Sequence, residues 1–143
     1  MQAFESLDST NNYLKKLAAE GAAEGAAEGA VVIADEQTAG RGRMGRSFAS
    51  AAGCGIYMSM LLRPADCAPD CAQSLTAVCA VAVCRAVEKV CGRAPGIKWI
   101  NDLYLRGKKI CGILCESSVR DGRVDYAVLG IGLISPMLVA NND

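Results

Sequence analysis

Ile97-Lys98-Trp99-Ile100-Asn101-Asp102-Leu103-Tyr104-Leu105-Arg106-Gly107-Lys108-Lys109-Ile110-Cys111-Gly112-Ile113-Leu114-Cys115-Glu116 is the stretch that decides the architecture. Short runs of β-branched, aromatic and leucine side chains are broken by Arg106-Gly107, a turn pair, and Asp121-Gly122 is the next. This punctuation predicts strands over residues 97–100, 103–105, 110–116 and 124–133, joined as an antiparallel meander.

Upstream, Leu75, Val78, Cys79, Ala82, Val83, Ala86, Val87 and Val90 recur at intervals of three and four, which predicts one apolar helical face ending at Gly92. Residues 56–62 read as a strand. A short strand over 31–34 delivers Asp35, Glu36, Gln37 and Thr38 to the loop that follows. A first helix begins near Ser9 or Thr10, whose hydroxyl can cap exposed N–H groups, and runs through Tyr13, Leu14, Leu17 and Ala18 on one face. Over residues 18–29 the unit Ala-Ala-Glu-Gly occurs three times in tandem, and its glycines weaken helix at each repeat. A surface linker without chemistry is expected there. Early helices and late strands give an α+β class with a mixed, mainly antiparallel sheet and flanking helices. The 143 residues suit a single domain.

Fifteen basic and fifteen acidic residues cancel, so no general attraction to nucleic acid or an anionic membrane is expected. No apolar run reaches the roughly 20 residues of a membrane span. The start, with Glu5 and Asp8, lacks a signal peptide's basic and apolar segments, and a cytoplasmic location follows. There is no histidine, which excludes a Ser-His-Asp or Cys-His hydrolase and histidine-bearing metal sites. The eight cysteines include no C-x-x-C pair; Cys67 with Cys71 and Cys111 with Cys115 sit four apart, unlike a zinc knuckle. They are expected to be reduced and mostly buried. Chemistry must then rest on charge and positioning.

The charge is concentrated in Gly40-Arg41-Gly42-Arg43-Met44-Gly45-Arg46. Glycines at positive φ could turn backbone N–H groups toward one point, and guanidinium forks match carboxylate and phosphate oxygens. The glycines have the G-x-G-x-x-G spacing of a dinucleotide turn, but that turn needs a helix opening at the third glycine. Small residues and then a strand follow instead. A small-anion site is the better reading, with a bare basic loop as its alternative.

Taken in order, Asp8-Ser9-Thr10-Asn11, Gln37-Thr38-Ala39 with the loop just quoted, Lys98-Trp99-Ile100-Asn101-Asp102-Leu103, Lys108-Lys109-Ile110-Cys111-Gly112-Ile113-Leu114 and Gly130-Ile131-Gly132 resemble the catalytic domain of biotin protein ligases. The resemblance spans residues 8–133. It implies a class II aminoacyl-tRNA synthetase/biotin synthetase-like fold and an enzyme that activates biotin with ATP to biotinyl-5′-adenylate. The biotinyl group would then pass to a lysine of a biotin carboxyl carrier protein, an acetyl-CoA carboxylase subunit. Biotin, ATP and Mg²⁺ are the implied small molecules, and a homodimer is left open.

Residue by residue, the resemblance implies that Ser9, Thr10, Asn11 and Gln37 hold the biotin rings. Arg41 and Arg43 would contact ligand, Arg43 and Lys109 being catalytic, and Arg46 would support phosphate. Asn101 would bind nucleotide and Asp102 Mg²⁺, Gly40 and Gly42 would bind ligand as part of the loop, and Gly112, Gly130 and Gly132 would let strands approach the ligand closely. Trp99 reads equally as core or as a stacking surface. Ile100 stands where the family has proline, Ile134 where it commonly has asparagine, and residues 135–143 match nothing expected. Residues 1–143 are therefore expected to be a catalytic domain incomplete at its C-terminus, without an N-terminal helix-turn-helix or a C-terminal β-barrel. A lipoate or octanoate ligase, a non-catalytic biotin-binding module and an emptied fragment remain as alternatives.

Overall fold

A computed structural model describes residues 1–20, 25–65 and 67–134. Part of the tandem repeat and the ending over 135–143 lie outside the described residues.

The meander forms as its turns dictate. Arg106 and Gly107 have φ of 51° and 75°, Asp121 and Gly122 of 51° and 74°. Positive φ at both central residues matches the right-handed twist of paired strands. The first turn joins β5 (Asp102–Leu105) to β6 (Lys108–Arg120), and the second joins β6 to β7 (Arg123–Ile134). Two earlier strands, β2 (Val31–Gln37) and β3 (Gly55–Leu62), are each longer than the sequence pattern predicts. With β1 (Gln2–Leu7) and β4 (Gly96–Lys98) they make a seven-stranded sheet in the order β1-β2-β3-β7-β6-β5-β4. Only β1 and β2 run parallel; the other neighbours are antiparallel.

β1 is invisible in the residue pattern, because Phe4 and Leu7 are its only large apolar side chains. Its backbone pairing with β2 and the packing of Phe4 on Tyr13, ring centroids 4.9 Å apart, hold it in place. A parallel pair needs a crossover, and helix α1 (Thr10–Ala19) supplies it. Ser9 caps that helix, its hydroxyl accepting from the Asn12 N–H at 3.3 Å.

Strand pairing assigns the two faces. Leu61 lies opposite Val128, and both pack with Leu14, Ala18 and Val32 beneath α1. Alternate positions point the other way: Cys111, Ile113 and Leu129 pack with Cys79, Ala80 and Val87 of helix α2 (Cys71–Cys91), which ends as predicted at Gly92 in the left-handed conformation. The sheet is sandwiched between the helices. Each fully buried aliphatic side chain contributes about 1.5–3 kcal/mol to that arrangement.

Three expectations are corrected. The core side of α2 runs through Leu75, Cys79, Ala80, Val83, Cys84, Val87 and Cys91, whereas Val78 and Val90, assigned to the buried face, are 68% and 83% exposed. The helix is apolar on both stripes, so periodicity could not choose between them. The repeat is not wholly a surface linker, since Ala26 is buried under α1 and the Arg63 guanidinium donates to the carbonyls of Ala18 and Ala26 at 2.9 and 3.3 Å. Cys67 and Cys71 form a disulfide, their Cα atoms 6.2 Å apart across the start of α2 and within bridging range. The other six cysteines are free thiols as expected, Cys79 and Cys111 being buried.

Candidate active site

A cavity of about 260 Å³ opens on the α1 side of the sheet, between the glycine-arginine loop and strands β5 to β7. The loop is a closed tongue. Gln37 bridges to Ser50 and Arg41 to Ser47, and the Phe48 N–H donates to the Gly40 carbonyl at 2.8 Å. At the tip a 3-10 turn (Arg43–Gly45) folds back, the Gly42 N–H donating to the Arg46 carbonyl at 2.6 Å. No helix follows Gly45, and the next element is β3, so the dinucleotide-turn reading fails as expected.

The glycines act differently from expectation. Gly45 has positive φ, 72°, but the other residue there is Met44, at 56°, and not a glycine. Gly40 is buried and does not line the cavity; it is required because a Cβ would collide with the Phe48 carbonyl. The Gly42 N–H is spent within the loop. Arg41, Arg43 and Arg46 all line the cavity and bring three guanidinium groups to this end of the loop.

One end of the cavity is neutral and hydrogen-bonded. Gln37 Oε1 accepts from the Thr10 N–H at 2.9 Å and from its hydroxyl at 3.1 Å, while Gln37 Nε2 donates to Ser50 Oγ at 2.8 Å. Buried Ser59 donates its hydroxyl to Asn11 Oδ1 at 2.6 Å, and its Oγ lies 2.8 Å from Thr10 Oγ1. Ser9, Thr10, Asn11 and Gln37 are thus held together by the start of α1 and the end of β2. Gly130, opposite on β7, leaves room for the Asn11 amide, which a Cβ would strike.

The other end carries charge. Arg43 Nη1 donates to Asn101 Oδ1 at 3.0 Å, Asn101 Nδ2 donates to Asp102 Oδ1 at 3.0 Å, and the same oxygen lies 2.9 Å from Lys109 Nζ. A bulge makes this chain possible. Leu103 pairs with Cys111 but Tyr104 pairs with Lys109, so Ile110 is an extra residue in β6. Strict alternation would put Lys109 and Gly112 on opposite faces; the bulge brings them together, with Lys109 Nζ 3.3 Å from where a Gly112 Cβ would sit. The inward turn of Ile110, fully buried, is the other half of the same distortion.

Two residues here escape the motif reading. Phe48 lies against Gly112 and Gly132, filling the space their missing side chains leave, and Lys109 Nζ stands 5.8 Å from its ring centroid. An aromatic residue three positions after Gly45 carries no signal of its own in the sequence. Glu116 gathers Lys15 Nζ at 2.8 Å, Arg41 Nη1 at 3.0 Å and Asn11 Nδ2 at 2.9 Å. Burial would push its carboxyl up, but the hydrogen bonds from Lys15 and Asn11 and the nearby charges of Lys15 and Arg41 prevail and hold it below the ordinary range. Trp99 is neither core nor cavity wall, being 79% exposed.

The mainly antiparallel sheet, crossed by one short helix at its ligand cavity, is the class II aminoacyl-tRNA synthetase-like fold of biotin protein ligase catalytic domains. The chain belongs to the biotin/lipoate A/B protein ligase family, whose model matches residues 3–133. It is 44% identical over 119 residues to the bifunctional ligase/repressor BirA of Bacillus subtilis, covering 83% of this chain and 36% of that protein. It is 42% identical over 128 residues to a biotin–[acetyl-CoA-carboxylase] ligase of Paracoccus denitrificans, covering 88% and 50%. Among solved structures, the Leishmania major biotin protein ligase in complex with biotinyl-5-AMP matches with a TM-score of 0.76 at 28% identity, over 92% of this chain and 56% of that one. The Aquifex aeolicus enzyme with biotin and ATP matches with a TM-score of 0.70 at 32% identity, over 92% and 50%. The chain thus spans about a third to a half of the curated relatives' length.

Proposed function

We propose that the chain activates biotin with ATP, forming biotinyl-5′-adenylate and pyrophosphate, and passes the biotinyl group to a lysine of a biotin carboxyl carrier protein in the cytoplasm. The observation that carries this reading is the division of the cavity into a neutral end at Ser9, Thr10, Asn11 and Gln37 and a cationic end at Arg43 and Lys109. A ureido ring is neutral and needs both donors and acceptors. A carboxylate and a triphosphate are both anions, and their approach needs fixed positive charge.

In the reaction a biotin carboxylate oxygen bonds to the α-phosphorus as the bond to the β-phosphate oxygen breaks, and pyrophosphate leaves with the electron pair. Lys109 and Arg43 offset the charge that builds on the phosphoryl oxygens. The acceptor lysine amine then attacks the biotinyl carbonyl and displaces AMP. Arg41 and Arg46 fold over a reactive mixed anhydride and limit its contact with water. Asp102 is the carboxylate on the cavity wall, and no cluster of three or more metal-ligating side chains occurs among the described residues. That donor set fits Mg²⁺ held mainly by substrate phosphates, with Asp102 supplying one carboxylate and the ion neutralising phosphate charge.

The test is to incubate the chain with biotin, Mg-ATP and a carrier domain and to measure the carrier's mass together with exchange of labelled pyrophosphate into ATP. Mass gain and exchange are expected. Biotin binding by calorimetry without either would leave a binding module, and displacement of biotin by lipoate would move the assignment to the lipoate ligases.

A further inference from the structure

Glu116 does not line the cavity, yet it is tied to two groups that do. Its side chain is 19% exposed, and its carboxylate receives donors from two separate parts of the chain. Lys15 and Asn11 lie one turn apart on the same side of α1, the spacing that lets both reach a single acceptor. Arg41 comes from the loop, with Nη1 at 3.0 Å from Oε1 and 3.4 Å from Oε2, and it also donates to Asn12 Oδ1 at 2.8 Å. Glu116 occupies β6 two residues beyond Leu114, whose carbonyl accepts from the same Asn11 amide at 3.3 Å. Asn11 is further pinned by Ser59 and by the space at Gly130.

The loop tip, residues 41–46, reaches the body of the protein through Arg41 on this side and through Arg43 to Asn101 on the other. Arg43 belongs to the ligand and must be free to change partners when anions arrive. The Arg41 anchor is then the one that persists.

We propose that Glu116 is a positioning residue, the anchor on which the glycine-arginine loop is seated and which sets Arg41 and Asn11 in register before ligand binds. The inference rests on the biotin-activating reading for its consequence in the reaction but not for its geometry. An ionised carboxylate accepts from every one of these donors at once, while an amide in its place turns an N–H₂ group toward one of them. Loss of the charge therefore releases the loop without opening a hole in the sheet.

Two measurements test the role. The first is limited trypsin digestion, read as cleavage after Arg43 and Arg46, in the chain and in its Glu116→Gln and Arg41→Ala variants. Glu116→Gln should speed cleavage about tenfold or more, the factor that follows from losing one hydrogen bond to a charged group. Arg41→Ala, altered at a half-exposed side chain away from the core, should do the same, and the double variant should be no faster than either. Equal cleavage in the chain and in Arg41→Ala, or effects that multiply in the double variant, overturns the proposal. The second is pyrophosphate exchange: Glu116→Gln should raise KM for biotin by about tenfold to a hundredfold, the scale of a misplaced binding group, with a smaller fall in kcat. A fall in kcat with KM unchanged also overturns it. Digestion needs neither biotin nor ATP, so a chain that fails to exchange pyrophosphate refutes the functional reading alone and leaves the loop anchor standing on its own result.

Discussion

At the scale of single residues the site is a short relay of side chains whose charges are already paired with one another. Arg43, Asn101, Asp102 and Lys109 are linked in sequence at 2.9–3.0 Å, so an incoming anion exchanges for Asp102 and Asn101 and does not have to attract cations out of water. Arg43→Ala should lower adenylation on the order of 10²- to 10³-fold, the scale for one oriented charge-stabilising donor, measured as pyrophosphate exchange. An unchanged rate would remove Arg43 from the chemistry. Gly130→Ala should displace the Asn11 amide, cost about 1–3 kcal/mol in stability by overpacking, and weaken biotin binding by calorimetry more than it slows exchange at saturating biotin. Most cavity residues were legible in the sequence because their motifs fix residue type at positions the backbone must bring together. Phe48, Glu116 and the bulge at Ile110 were not, since each acts through a contact across the sheet that has no local signature. Gly40 was legible as essential but for the wrong reason, backbone crowding and not a ligand.

At the scale of elements, the turns and strand order of the meander followed from Arg106-Gly107 and Asp121-Gly122, while the orientation of α2 did not follow from its own residues. Both stripes of α2 are apolar, and only the inward-facing side chains of β6 and β7 decide which is covered. Val87→Ala should therefore cost about 1–3 kcal/mol in chemical denaturation, as a buried truncation does, whereas Val90→Ala should stay within about 0.5 kcal/mol. Equal losses at the two positions would restore the face that periodicity suggests. The same interface holds Cys79 and Cys111, whose thiols burial pushes up to about 11 and about 12. Thiolate is the nucleophile, so both should resist iodoacetamide at neutral pH in the folded chain and react once it is unfolded. Rapid native alkylation at either would mean that α2 lifts from the sheet.

At the scale of the whole molecule, a net charge of zero conceals an uneven distribution, with the site's cations offset by Glu116 and Asp102. This offset makes stability depend on pH in a definite direction. Glu116 has its carboxyl held below the ordinary value of 4.5, so between the folded and unfolded values the unfolded chain binds the extra proton. The stabilisation is fully present above about pH 4.5, the unfolded value, and is lost as the pH falls through the lower folded value. Asp and Glu together number fifteen, so a pH series on the chain alone does not isolate Glu116 from the other carboxylates. Subtracting the Glu116→Gln variant removes them, because the amide has no proton to gain. The difference in unfolding free energy between the chain and this variant, from urea titrations, should be level from pH 7 to about pH 5 and shrink below about pH 4.5. A difference that stays level to pH 3 would mean that the ion pairs of Glu116 with Lys15 and Arg41 do not stabilise the fold.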